Sequence, residues 1–204
     1  MNRLRFYLAR TLRDEGAIAS LSVPQAELLA AAAGRTVALV GNARALGNQR
    51  HGAAIDAAGR VVRINRAPMP SAESHGTRTD WLALAVRLPD SDRARLQPGR
   101  ILWMSPKRKR LDWVTASAPG FYLHPLADYR ALARALGAPP STGIMAIELL
   151  LRAPLDSLTL YGFDFFASQS LSGSRSAAQV PHDFAAEAAW VRARAAQDGR
   201  LRLS

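Results

Sequence analysis

The sequence predicts a single α/β domain built on one doubly wound, mostly parallel sheet with helices on both faces. Three observations predict it. Short unbroken apolar runs of strand length recur along the chain, as strands buried on both faces require. Helical patterns separate them, the alternation expected of a parallel sheet with crossover helices. The 204 residues, 49% of them hydrophobic, suffice for one ordinary core.

The elements follow in order. Residues 1–34 read as a helical segment of one or two amphipathic helices. Ser22 and Pro24 supply an N-cap and early-helix signal before Gln25–Ala33, and Gly34 ends it. The core spans 35–190. Thr36–Val40 is the first strand, stopped by Gly41 and Asn42. Val61–Ile64 is the second, ended by Asn65 and Pro68. Trp81–Val86 and Ile101–Met104 are further strands, set apart by turns rich in Pro, Gly and Asp. Leu126–Leu136 reads as a helix closed by Gly137, and Ser141–Leu151 as a strongly apolar one. Leu158–Tyr161 is a strand ending at Gly162, and Phe184–Ala196 a last amphipathic helix. Ligands of such sheets sit at the carboxyl ends of the strands, where Asn42 and Asn65 fall.

Composition narrows the function classes. Without cysteine there is neither a disulfide framework nor a thiolate metal site. The first stretch is broken by Arg3, Arg5, Arg10, Arg13, Asp14 and Glu15, so it offers neither a membrane-length apolar run nor the uncharged core of a secretory signal. The expected compartment is the cytoplasm. A net charge of +11 favours anionic partners: nucleic acid, phospholipid headgroups of a membrane surface touched peripherally, or phosphorylated and carboxylated small molecules. The dense run Lys107–Arg110 reads either as a solvated loop or as a patch facing such a partner. It lacks the interleaved aromatics that stack bases, which disfavours nucleic acid.

Several short motifs are able to carry chemistry. In Val40-Gly41-Asn42, glycine permits a sharp turn and a close backbone approach after a buried strand, and the Asn amide suits a nucleotide. Neither a P-loop nor a dinucleotide fingerprint is present. Ser141, Thr142 and Gly143 open an apolar helix whose free N–H groups attract an anion, or they form an ordinary cap. His182 lies at the start of a helix and is either a general base or a surface histidine. Glu187, one turn further on, is placed to orient that histidine or to cap the helix. His51, His75 and His124 have no stronger local claim, and no two histidines share metal-ligand spacing. Asp90-Ser91-Asp92 is formally a D-x-D metal motif, yet it follows Pro89 and runs into arginines as an exposed turn would. No G-x-S-x-G elbow supports a serine hydrolase.

Taken in order, these pieces resemble the family 29 sialyltransferases. VALVGNARALGNQRHGAAIDAAGRVVRINRAP (Val37–Pro68) is similar to the large sialylmotif, in its V-G-N turn, its G-x-x-I-D at Gly52–Asp56 and its V-R-I-N-x-A-P end. The segment from His75 to Asp80 looks like the G-x-R-T stretch that follows. Pro140–Phe166 is similar to the small motif, and His182 with Glu187 reproduces the very small motif H-x-x-x-x-E. The resemblance implies a Rossmann-like variant of the type A glycosyltransferase fold. It also implies a CMP-linked donor and inversion at the anomeric carbon, with no metal and no other cofactor. Carried over, Gly41, Asn42 and Asn65 would meet the CMP moiety. Ser141, Thr142 and Gly143 would hold the donor's carboxylate, ribose or phosphate, and His182 would be the general base for the acceptor hydroxyl.

Animal members of the family carry a disulfide between the large and small motifs, an N-terminal membrane anchor, and a histidine before the very small motif that meets the donor phosphate. None of the three is found in this sequence, and between Gly162 and His182 the one cation is Arg175. Either Arg175 takes the phosphate role as a donor-binding residue or the donor chemistry differs. The expectation is a short bacterial enzyme of lipopolysaccharide or capsule synthesis, moving sialic acid or Kdo from CMP to a glycan or lipid-linked oligosaccharide. The alternative is a non-catalytic CMP-sugar-binding protein of the same fold.

Overall fold

A computed structural model describes residues 1–165, 171 and 181–204. The strands are β1 (Thr36–Val40), β2 (Arg60–Ile64), β3 (Trp81–Leu84), β4 (Arg100–Trp103), β5 (Tyr122–Leu123), β6 (Ser157–Tyr161) and β7 (Leu201–Leu203). The helices are α1 (Arg3–Leu12), α2 (Glu15–Ala19), α3 (Gln25–Ala30), α4 (Gly52–Ala57) and α5 (Ala72–His75). They continue with α6 (Asp90–Leu96), α7 (Trp113–Ala116), α8 (Leu126–Leu136), α9 (Thr142–Leu151) and α10 (Phe184–Gln197).

Among the described residues one seven-stranded sheet runs in the order β5-β4-β3-β2-β1-β6-β7. Every pairing is parallel. Alternation along the strands explains why both faces are covered. Val37 and Leu39 of β1 face a core shared with α3, α8, α9 and α10. Ala38 and Val40 face Leu46 and Ile55 on the other side. On that second side Leu82, Leu84, Ile101 and Trp103 bury Phe6, Ile18, Leu96 and Ala116. The sheet therefore carries helices on both faces, as the sequence indicates.

The strand order fixes where a ligand would sit. The chain steps outward from β1 to β5 and then returns to place β6 on the other flank of β1. The reversal makes the carboxyl ends of β1 and β6 the switch point of the sheet, where such folds open a crevice.

Several local expectations need correction. The amino-terminal segment forms three helices rather than one or two. Ser22 does not cap α3; its hydroxyl donates to Val23 O and accepts from Leu123 N, tying the segment to β5. The Asp90-Ser91-Asp92 stretch is exposed at Asp90 and Ser91, as expected, but it forms the first turn of α6 rather than a loop turn. Asp92 there accepts from Arg66 at 2.7 Å and Arg95 at 3.1 Å.

Candidate active site

The predicted residues after β1, β2 and β6 converge at one end of the sheet, and the two glycines explain how. The backbone of Gly41 lies against Gly162, its N–H donating to Tyr161 O at 2.7 Å. A methyl group on Gly41 would meet Gly162 O at 2.3 Å and the Phe163 ring at 3.1 Å. On Gly143 it would meet that same Phe163 ring at 2.8 Å. Phe163 thus sits between the turn after β1 and the start of α9, with Ile64 at the end of β2 beside it.

The two asparagines turn their amides partly inward. Asn42 Nδ2 donates to Ile64 O at 3.1 Å, bridging the ends of β1 and β2. Asn65 Oδ1 accepts from Ala85 N at 2.9 Å, bridging β2 to the end of β3. Asn65 has φ 53°, the left-handed region that Asn tolerates better than most residues. Both amides brace strand ends.

The start of α9 meets the start of α10. Ser141 donates through its backbone N–H to Glu187 Oε1 and through Oγ to Oε2, both at 2.7 Å. Ser141 Oγ in turn accepts from Ile144 N at 3.3 Å, the N-cap bond of α9. Glu187 is buried, and desolvation raises its carboxyl above the ordinary value against the pull of the Ser141 bonds. Glu187 therefore neither caps α10, a role filled by Asp183 through Ala186 N, nor hydrogen-bonds the histidine. It clamps the two helices together. The Thr142 and Gly143 N–H groups at the first turn of α9 bond to none of the described residues.

His182 keeps one ring nitrogen without a partner among the described residues. Its Nδ1 lies 2.8 Å from Pro139 O. A carbonyl only accepts, so Nδ1 carries the proton and Nε2 keeps a lone pair. Nε2 has no partner among the described residues, and the ring is partly exposed beside Phe184. Arg175 lies outside the described residues. His75 and His124 are buried, and desolvation lowers both pKa values, His124 to about 4. Among the described residues no three His, Asp or Glu gather as a metal site. A cavity of about 390 Å3 bounded by Arg60, Trp81 and Arg100 lies at the amino ends of the strands, the edge opposite this cluster.

The remaining motif residues form a buckle that sequence reasoning left without a role. Asp56 accepts from Thr77 N, Thr77 Oγ1 and Arg78 N at 2.8–3.0 Å. Gly76 has φ 66°, and a methyl group there would strike Asp56 Oδ1 at 2.4 Å. Inside the buckle the buried Arg63 donates to the carbonyls of Arg78 and His75. Desolvation lowers the Arg63 pKa to about 10. An arginine in an otherwise apolar strand, Val61-Val62-Arg63-Ile64, was the available signal for such a buried anchor.

The family model for glycosyltransferase family 29 (sialyltransferase) matches residues 14–118. The chain belongs to that family. It is thus a glycosyltransferase of the sialyltransferase type. The matched stretch includes Gly41, Asn42, Asn65 and the buckle, whereas Ser141 and His182 lie beyond it. Among solved structures, a mammalian sialyltransferase is 21% identical, with a TM-score of 0.62 over 84% of this chain and 69% of that one. A mammalian sialyltransferase in complex with Gal-beta-1-3GalNAc-ortho-nitrophenol is 20% identical, with a TM-score of 0.59 over the same shares, 84% and 69%. Both share the fold. No curated protein matches this chain.

Proposed function

We propose that this family 29 enzyme transfers sialic acid, or a related 2-keto-3-deoxy sugar such as Kdo, from CMP to a glycan hydroxyl, with inversion and without a metal. The observation that carries the reading is the tautomer of His182: Nδ1–H is held by Pro139 O, just before α9, and Nε2 has no partner among the described residues. In the reaction the acceptor oxygen bonds to the anomeric carbon as its proton passes to His182 Nε2. The bond from that carbon to the CMP phosphate oxygen breaks, and CMP leaves as the anion. The Thr142 and Gly143 amides and the α9 dipole stabilise an anionic group of the donor. CMP departs with a single phosphate, so the divalent clamp that a diphosphate needs is dispensable.

Ser141 supports this arrangement through its cap and its hold on Glu187, its own donors being engaged there. Gly41 admits the close passage of the turn after β1, and Asn42 and Asn65 frame the nucleotide. Arg175 supplies the phosphate contact in place of a histidine. The acceptor is a surface glycan or a lipid-linked oligosaccharide of a bacterial capsule or lipopolysaccharide, and the enzyme works in the cytoplasm.

The test is His182→Ala, assayed for transfer from CMP-sialic acid and CMP-Kdo and for CMP affinity. Loss of one general base lowers turnover by about 10²–10⁴-fold while CMP affinity holds. Retained turnover would remove His182 from the reaction. CMP binding by the wild type with neither transfer nor donor hydrolysis would favour a non-catalytic binding protein.

A further inference from the structure

Helix α1 has two apolar faces, and the fold uses one. Phe6 and Ala9 are buried against α2 and α7, with the Phe6 ring 5.7 Å from Trp113. On the opposite side Leu4, Leu8 and Leu12, at four-residue spacing, form a single stripe. They are 79%, 58% and 69% exposed, with Met1 exposed before them. Val114 on α7, the helix packed beside α1, is also exposed. Isolated exposed leucines are ordinary, but three in register on one helix form a patch that needs a partner.

The charge around the stripe says which partner. Arg3, Arg5 and Arg13 are exposed on or next to α1, and α1 carries no acidic residue. The chain from Lys107 to Arg110 packs against α1, Arg10 Nη1 donating to Leu111 O at 2.6 Å. Lys107, Lys109 and Arg110 there are exposed, whereas Arg108 is buried and paired with Glu15. The nearby acids are used internally: Asp14 caps α2 and Glu15 holds Arg108. The result is an apolar ridge in an uncompensated cationic surround. A second copy of the chain would set these arginines against their own kind. A helix with leucines on one side and cations beside them lies instead in the headgroup plane of an anionic bilayer.

We propose that α1 and the Lys107–Arg110 segment form a peripheral docking surface for anionic phospholipid, with Leu4, Leu8 and Leu12 entering the acyl boundary. This surface is separate from His182 and does not depend on the proposed reaction. The test is flotation of the full chain with vesicles of phosphatidylcholine alone and of phosphatidylcholine mixed with phosphatidylglycerol. The protein floats with the anionic vesicles only, and less so as salt rises. Replacing Leu4, Leu8 and Leu12 by serine lowers the partition at least about tenfold. Lys109→Glu with Arg110→Glu lowers it on anionic vesicles. A Leu8→Trp variant gives an independent readout, its emission shifting to the blue on anionic vesicles. Failure to float with anionic vesicles at low salt, or flotation unchanged by the serine substitutions, overturns the proposal. So does a wild type that elutes as a dimer when the serine variant elutes as a monomer, which would make the stripe a contact between copies.

Discussion

Asp56 and Glu187 are two motif carboxylates, each accepting hydrogen bonds from a neighbouring segment, and their acidities move in opposite directions. Desolvation acts to raise both. At Asp56 the donors Arg78 N, Thr77 N and Thr77 Oγ1 outweigh it and hold the carboxyl below its ordinary value. At Glu187 burial is deeper, two Ser141 bonds do not compensate, and the carboxyl stays raised. The contrast extends to the surrounding regions. Around Asp56 and the asparagines, polar side chains bind the protein's own backbone and define the shape of the strand ends. Around Glu187, one carboxylate absorbs both Ser141 donors, while the Thr142 and Gly143 amides and His182 Nε2 have no partner among the described residues. The first region builds the crevice, and the second keeps groups available for a ligand.

The largest effect on that comparison comes at Gly41. An alanine there drives its methyl group into the Gly162 carbonyl, backbone against backbone. Gly41→Ala is expected to lower unfolding free energy by about 3 kcal/mol or more, measured by denaturant melts. Full stability in that variant would break the view that the large motif sets the strand ends. At the other region Ser141→Ala removes the cap of α9 and one of the two Glu187 bonds. The expected loss is about 1–3 kcal/mol. If Ser141→Ala proves as stable as wild type, the α9–α10 clamp is not structural.

The smallest effects are in pH dependence, and their signs are opposite. Asp56 is lowered in the fold from 3.8, so it contributes stability above that pH and loses it as pH falls through the folded value. Asp56→Asn flattens the acid limb of a stability–pH curve. Glu187 is raised from 4.5, so its contribution is present below that pH and is lost as pH rises through the folded value. Glu187→Gln removes that loss on the rising side. Two variants with the same slope change would refute the contrast.

Much of the fold was legible because buried parallel strands leave unbroken apolar runs. β1 matches its sequence reading residue for residue, and β2, β3, β4 and β6 match it in type and place. The two edge strands were not legible. Tyr122–Leu123 is two residues long, and Leu201–Leu203 has two of its three residues exposed, so neither shows a buried run. Gly52–Ala57 and Ala72–His75 are held as helices by the Asp56 buckle and the close approach of Gly52 to Ala72 O. That approach is tertiary and leaves no periodicity in six or four residues. In the site, Ser141 as a helix cap was readable from its position before an apolar helix. Its bond to Glu187 was not, since 46 residues separate them. The His182 tautomer likewise depends on Pro139 O, which no local motif points to.

The central claim is that the crevice at the ends of β1, β2 and β6 takes a CMP-linked donor. Calorimetric titration of the wild type and Asn65→Asp with CMP, with UMP and GDP as controls, tests it most directly. Asn65→Asp keeps an oxygen for Ala85 N–H, and so preserves the strand brace, while replacing an amide donor with negative charge. The account predicts selective CMP binding that weakens about tenfold in the variant, an energy of about 1.4 kcal/mol. Equal affinity for CMP, UMP and GDP, or CMP binding unchanged in Asn65→Asp, would contradict it.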